Sequence, residues 1–91
     1  MNATLTYFQG EMLRQIARFG SANAAQICLS MAGKLEKNIV YQNSTIMSNL
    51  DELVENGFLA TEERAEGDLA VLVRYYKLTD LGSEFIRSTR F

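Results

Sequence analysis

A chain of 91 residues, 47% of them apolar, supports one small domain over residues 1–91, because a second would leave each half too small for apolar burial to offset chain entropy. Nine Lys and Arg against 11 Asp and Glu give a net charge of −2. This excludes a general polyanion binder and requires any DNA-binding face to arise by local sorting of charge. Histidine is absent and Cys28 is the single cysteine, which rules out an internal disulfide and removes the commonest zinc ligand and general base; no metal and no cofactor is expected.

The segment from Met1 to Gly10 has no cationic start followed by an apolar core, and no apolar run approaches the roughly 20 residues that span a bilayer. A soluble, reducing, cytoplasmic setting without a membrane partner is expected. In chain order, Phe8, Met12, Leu13, Ile16 and Phe19 recur at helical spacing with Glu11, Arg14, Gln15 and Arg18 on other faces, which predicts a first helix from about Tyr7 to Arg18, stopped by Gly20. Ser21 or Asn23 caps a second helix, whose apolar stripe is Ala24, Ile27, Cys28, Met31 and Leu35.

The connection from Glu36 to Gln42 is longer than a minimal helix-turn-helix turn, and Ile39 to Tyr41 is a candidate for a short extended stretch. Asn43 caps a third helix in which Ile46, Leu50, Leu53 and Val54 stand at i, i+4, i+7 and i+8 and face the core. Gly57 fits the left-handed position past its end. Phe58 to Glu66 and Leu69 to Leu78 read as strands around Glu66-Gly67-Asp68, whose glycine supplies the positive φ of a tight hairpin. Thr79 caps a last helix with Leu81, Phe85 and Ile86 as its apolar side and Arg87 and Arg90 near its negative end. The order α-α-α-β-β-α is mainly α with a small β-hairpin, the build of a winged helix-turn-helix.

The run Ser44-Thr45-Ile46-Met47-Ser48-Asn49-Leu50-Asp51-Glu52-Leu53-Val54-Glu55-Asn56-Gly57-Phe58-Leu59, followed by Tyr76-Lys77-Leu78-Thr79-Asp80-Leu81-Gly82, resembles winged-helix transcriptional regulators of the MarR and PadR kind over roughly Ile27 to Ile86. The resemblance implies that the third helix enters the major groove of double-stranded DNA and that the hairpin, the wing, reaches the minor groove or backbone. It also implies a homodimer. Ser44, Thr45, Ser48 and Asn49 would then face base edges. Wheel geometry agrees: with Ile46 and Leu50 inward, Ser44, Thr45 and Ser48 point away and Asn49 lies at the flank.

This sequence departs from that pattern in two places. The third helix carries Asp51, Glu52 and Glu55 but no Lys or Arg, and Asp68-Leu69-Ala70 lacks the arginine of an Asp-x-Arg wing tip. Backbone contacts would therefore fall to Lys34, Lys37, Arg64 and Arg74. One phosphate for each in both protomers sets a slope of log K against log salt near −7, from about −0.9 per contact.

Tyr7, Phe8, Met12, Phe19, Phe85, Ile86 and Phe91 offer more apolar surface than a three-helix core needs and are the candidate dimer interface; the competing reading is that both terminal helices merely close the core. Tyr75 and Tyr76 have the look of a stacking platform, but on a half-buried strand Tyr76 reads first as core. Cys28, on an apolar stripe, reads as an inert buried thiol. No phosphate loop, carboxylate pair or nucleophile-base pairing marks an enzyme. The alternative function is a protein-interaction module (an adaptor, an anti-repressor or a viral or plasmid inhibitor) that docks on a protein partner without binding DNA. Ligand sensing between the helices of a dimer is a third reading.

Overall fold

The computed structural model describes residues 5–34 and 43–88, with the backbone alone for Gly33, Lys34 and Asn43. Helix α1 spans Tyr7–Phe19, strand β1 Ser21–Asn23, helix α2 Ala24–Lys34, helix α3 Asn43–Glu55, strand β2 Leu59–Glu66, strand β3 Val71–Leu78 and helix α4 Asp80–Ser88. The expected order of helices and hairpin stands, with one added strand. Leu35, the stretch Ile39 to Tyr41, Arg90 and the side chain of Asn43 lie outside what is described.

Local sequence explains most boundaries. Thr6 and Gln9 form a capping box at the start of α1, and Gly20, at φ +82°, ends it. Asn23 rather than Ser21 caps α2: its Oδ1 accepts the N–H of Gln26 at 2.9 Å while the Gln26 side chain accepts the N–H of Asn23 at 2.9 Å. Ser21 is left free to begin β1. Past α3, Phe58 N–H donates to Leu53 O at 2.9 Å and Gly57 N–H to Val54 O at 3.0 Å, the paired closing bonds that a left-handed glycine permits; Gly57 has φ +84°.

The sheet is antiparallel in the order β1-β3-β2. β1 pairs Ser21 with Lys77 through Asn23 with Tyr75, and β2 pairs Leu59 with Leu78 through Glu66 with Val71. The hairpin turn is therefore Gly67 to Ala70, longer than Glu66-Gly67-Asp68, and Leu69 belongs to the turn rather than to the strand. Gly67 does supply a positive φ, and Ala70 adopts one as well, at +50°. The expected two-strand hairpin becomes a three-stranded sheet because the chain between α1 and α2 runs extended along β3.

The core draws Met12, Leu13 and Ile16 from α1, Ile27 and Met31 from α2, Ile46, Leu50 and Leu53 from α3, and Phe58, Leu59 and Tyr76 from the hairpin. Tyr76 is core, as its strand position implied, and its buried hydroxyl has no hydrogen-bond partner among the described residues. Cys28 is half-buried against this core, and burial pushes its thiol up from 9.0. Leu81, expected on the apolar side of the last helix, is exposed, whereas Phe85 and Ile86 pack on the core, Phe85 edge-on to Phe58 at 5.9 Å.

Two expectations about α1 are corrected. Met12 is fully buried within the single chain, so its side chain belongs to the core and not to a dimer interface. The polar residues do not simply face water: Gln9, Glu11 and Gln15 are buried. Gln15 Nε2 donates to Glu11 Oε2 at 2.8 Å, and the Ser30 hydroxyl of α2 donates to Gln15 Oε1. Bonds within α1, and one from Ser30 of α2, thus satisfy Glu11 and Gln15, which periodicity places only off the apolar face.

Candidate nucleic-acid interface

Helix α3 divides along its length. Ser44, Thr45 and Ser48 are exposed on its first half, as the wheel requires once Ile46 and Leu50 are buried, and Asp51, Glu52 and Glu55 are exposed on its second. The first half is uncharged and rich in hydroxyls that both donate and accept hydrogen bonds. Its second half is acidic.

Asn49 does not join the exposed hydroxyls. Its Nδ2 donates to Thr45 O at 2.8 Å and its Oδ1 accepts from Gln9 Nε2 of α1 at 3.1 Å. These two bonds hold the Asn49 amide against α1 and its own helix, which leaves Ser44, Thr45 and Ser48 as the exposed members of the candidate set. Gln9 is the residue that sequence reasoning missed. The spacing Thr6-x-x-Gln9 ahead of an apolar run is a capping-box signal and marks its place.

The ladder register sorts the wing cations. Directly opposed residues share a sheet face and neighbours alternate, so Tyr76, Arg74 and Leu72 lie on one face with Thr61, Glu63 and Ala65. Tyr76 makes this the core-side face. Beyond the core it borders a cleft of about 450 Å³ lined by Asn23, Met47 of α3, Leu72, Arg74 and Tyr76. Arg74 is exposed there on the same side as α3.

Arg64 lies on the opposite face and is engaged within the protein. Its Nη2 donates to Ser21 Oγ at 2.9 Å and pairs with Glu62 at 3.3 Å, and its guanidinium stands 4.2 Å from the centroid of the Tyr75 ring. The Arg64 hydrogen bond holds the Glu62 carboxyl below its usual 4.5, while a hydrogen bond to the Glu66 carboxylate raises the Tyr75 phenol above 10.0. Arg64 and Arg74, expected to flank α3 together, are thus separated by the sheet. The side chain of Lys34, and all of Lys37 and Phe91, lie outside the described residues.

The wing tip is apolar and acidic. Leu69 is 88% exposed, Val71 and Leu72 are also exposed, and Glu66 and Asp68 stand beside them without a cation in the turn. Among the candidate interface residues of the terminal helices, Tyr7 and Phe19 are exposed, while Phe8, Phe85 and Ile86 are half-buried against their own core. Among the described residues no helix is long and apolar enough to cross a membrane, and no cluster of His, Cys, Asp and Glu could hold a metal.

No family model matches the sequence, and no curated protein matches it significantly. Solved structures share its fold. A candidate transcriptional regulator from Thermoplasma acidophilum is 17% identical with a TM-score of 0.77, over 89% of this chain and 74% of that one. PadR of Bacillus subtilis, in complex with operator DNA, is 20% identical with a TM-score of 0.75, over 93% of this chain and 47% of that one. A cysteine-to-serine mutant of MarR from E. coli, complexed with operator DNA, is 15% identical with a TM-score of 0.74, over 92% of this chain and 52% of that one. The chain therefore spans about half the length of PadR and MarR. Its fold is the winged helix-turn-helix that it shares with these solved structures.

Proposed function

We propose that this chain is a transcriptional regulator that binds specific double-stranded DNA as a homodimer, acting in the cytoplasm as a single domain and without a catalytic step. The observation that carries the reading is the exposed hydroxyl edge of Ser44, Thr45 and Ser48 on the first half of α3. The fold, which PadR and MarR carry on operator DNA, supports it. The N-terminal half of α3 enters the major groove, and its hydroxyls meet base edges or phosphates. Asp51, Glu52 and Glu55 then sit at the far end and restrict the docking angle.

Arg74 serves the DNA backbone from the wing face on the side of α3, with Lys34 and Lys37 from before that helix. Arg64, held by Ser21, Glu62 and Tyr75, drops out of the count. Three cations in each of two protomers set the slope of log K against log salt at about −5, from about −0.9 per contact. Tyr7 and Phe19, with the flanks of Phe8, Phe85 and Ile86, supply the dimer contact that aligns two reading helices with two half-sites. Anisotropy titrations of own-upstream and random-sequence DNA at two salt concentrations test the binding, and light scattering at micromolar concentration tests the assembly. A slope near zero sinks the DNA reading, and a single peak at monomer mass retires the dimer.

A second reading, a protein-interaction module, is favoured by the wing tip, where exposed Leu69, Val71 and Leu72 stand with Glu66 and Asp68. Apolar surface ringed by acids suits a basic protein surface better than phosphates. Recovery of one stoichiometric protein partner, together with no retardation of own-upstream DNA, selects this reading.

A further inference from the structure

We infer that Gln9 is a positioning residue for α3, tying the capped start of α1 through Asn49 to the helix that presents Ser44, Thr45 and Ser48. The inference rests on the DNA reading above and names what orients its reading helix. Gln9 is 3% exposed, and its side-chain amide is used at both ends. Oε1 accepts the N–H of Thr6 at 3.2 Å, while Nε2 donates across 40 positions of sequence to Asn49 Oδ1 at 3.1 Å. The backbone N–H of Gln9 returns to Thr6 Oγ1 at 3.0 Å, and Asn49 Nδ2 continues to Thr45 O at 2.8 Å.

The bonds form one chain from the N-cap of α1 to a carbonyl in the first turn of α3. Helices α1 and α3 meet through the shared apolar core of Met12, Leu13, Ile16, Ile46, Leu50 and Leu53, and this chain adds a specific polar tie between them. Ile46, Leu50 and Leu53 fix which face of α3 meets the core, and a hydrogen bond, which loses strength steeply with misalignment, narrows the rotation that this packing leaves. The tie therefore selects one setting of α3 about its own axis. That setting decides whether the face carrying Ser44 and Ser48 is turned squarely toward a groove, with Asp51 and Glu52 further along the same face. Asn49 then contributes to recognition through helix orientation and not through a base edge.

Wild-type protein, Gln9→Leu, Asn49→Leu and the double variant test this, with Gln9→Glu as a further variant. Glutamate keeps the acceptor for Thr6 N–H but offers no donor to Asn49, so the cap of α1 survives without the tie. Two measurements are made on each protein: the affinity ratio for own-upstream over random-sequence DNA at several salt concentrations, and amide hydrogen exchange along α3. Each single variant is expected to lower the ratio roughly 5- to 20-fold, with the salt slope unchanged and exchange accelerated at Ile46 to Asn49. The double variant is expected to be no worse than a single one, because both remove the same bond.

Gln9→Leu and Gln9→Glu proteins that keep the wild-type ratio overturn the inference. So do effects of Gln9→Leu and Asn49→Leu that simply add, which would mean that Asn49 touches a base itself. A role in stability alone would lower the melting temperature and leave the ratio unmoved. If wild-type protein prefers no sequence, the DNA reading fails by itself and exchange decides the tie: acceleration along α3 in Gln9→Glu supports it, and unaltered exchange removes it too.

Discussion

Gly82 is where the two halves of the signature read in sequence meet. A Cβ at this position would stand 2.3 Å from the carbonyl oxygen of Phe58 and 3.3 Å from its carbon. Beside it, Thr79 Oγ1 donates to Gly57 O at 2.6 Å and accepts the N–H of Gly82 at 3.1 Å, while Thr79 N–H donates to Phe58 O at 3.1 Å. The start of α4 is clamped on the chain leaving α3, so the obstacle to a side chain is backbone that cannot rotate away. Gly82→Ala is expected to cost about 3 kcal/mol and to lower the melting temperature by more than roughly 10 °C. Thermal unfolding followed by circular dichroism checks this, and a wild-type melting temperature would refute the clamp. The sequence marked Gly57 and Thr79 as punctuation and held Gly82 only as the end of the run Tyr76 to Gly82. It could not show that one glycine exists because of a carbonyl 24 positions earlier, nor that Gln9, Gln15 and Asn49 find partners inside the protein, since a polar residue looks the same whether water or another side chain satisfies it.

At the scale of elements, α3 was legible almost entirely. Burial of Ile46, Leu50 and Leu53 follows from helical spacing, and exposure of Ser44, Thr45, Ser48 and the three acids follows from that burial. The two halves of the helix make opposed electrostatic demands on a phosphate backbone. Under the DNA reading, Asp51→Asn together with Glu52→Gln should raise affinity for own-upstream and random DNA alike, by roughly 3- to 10-fold at low salt and less at high salt, because the removed repulsion is long-ranged and screened. Gel retardation measures it, and unchanged or weakened binding would favour the protein-interaction reading. The wing was legible as a hairpin but not in detail. Glu66-Gly67-Asp68 signals a tight turn, yet the ladder closes at Glu66 and Val71 and leaves a longer apolar tip. β1 carried no strand pattern in three residues, and only its pairing with Lys77, Tyr76 and Tyr75 makes it a strand.

For the whole molecule, the absence of histidine shapes the response to pH. Among the described groups, Glu62 is held below 4.5 by the Arg64 hydrogen bond, Tyr75 is raised above 10.0 by its hydrogen bond to Glu66, and Cys28 is raised above 9.0 by burial. The lowered carboxyl contributes stability that is present above its ordinary value and is lost as pH falls through the folded one. For the raised phenol and thiol the contribution is present below their ordinary values and lost as pH rises through them. None of these changes falls between about pH 5.5 and 8, so the urea midpoint is expected to be flat across that window and to decline outside it. A midpoint that moves steadily between pH 6 and 7.5 would contradict this.

Sequence by itself determined the order of helices and hairpin, the inward faces of the helices and the punctuation at Gly20, Gly57, Gly67 and Thr79. Each follows from periodicity or from the backbone freedom of one residue, which are local properties. Tertiary structure decided which polar groups are available. It placed Arg74 on the side of α3 and turned Arg64 to the other face, through a register shared by two strands. It withdrew Asn49 into a bond with Gln9 and Met12 into the core. Availability depends on partners brought together from distant positions, and spacing along the chain does not encode them.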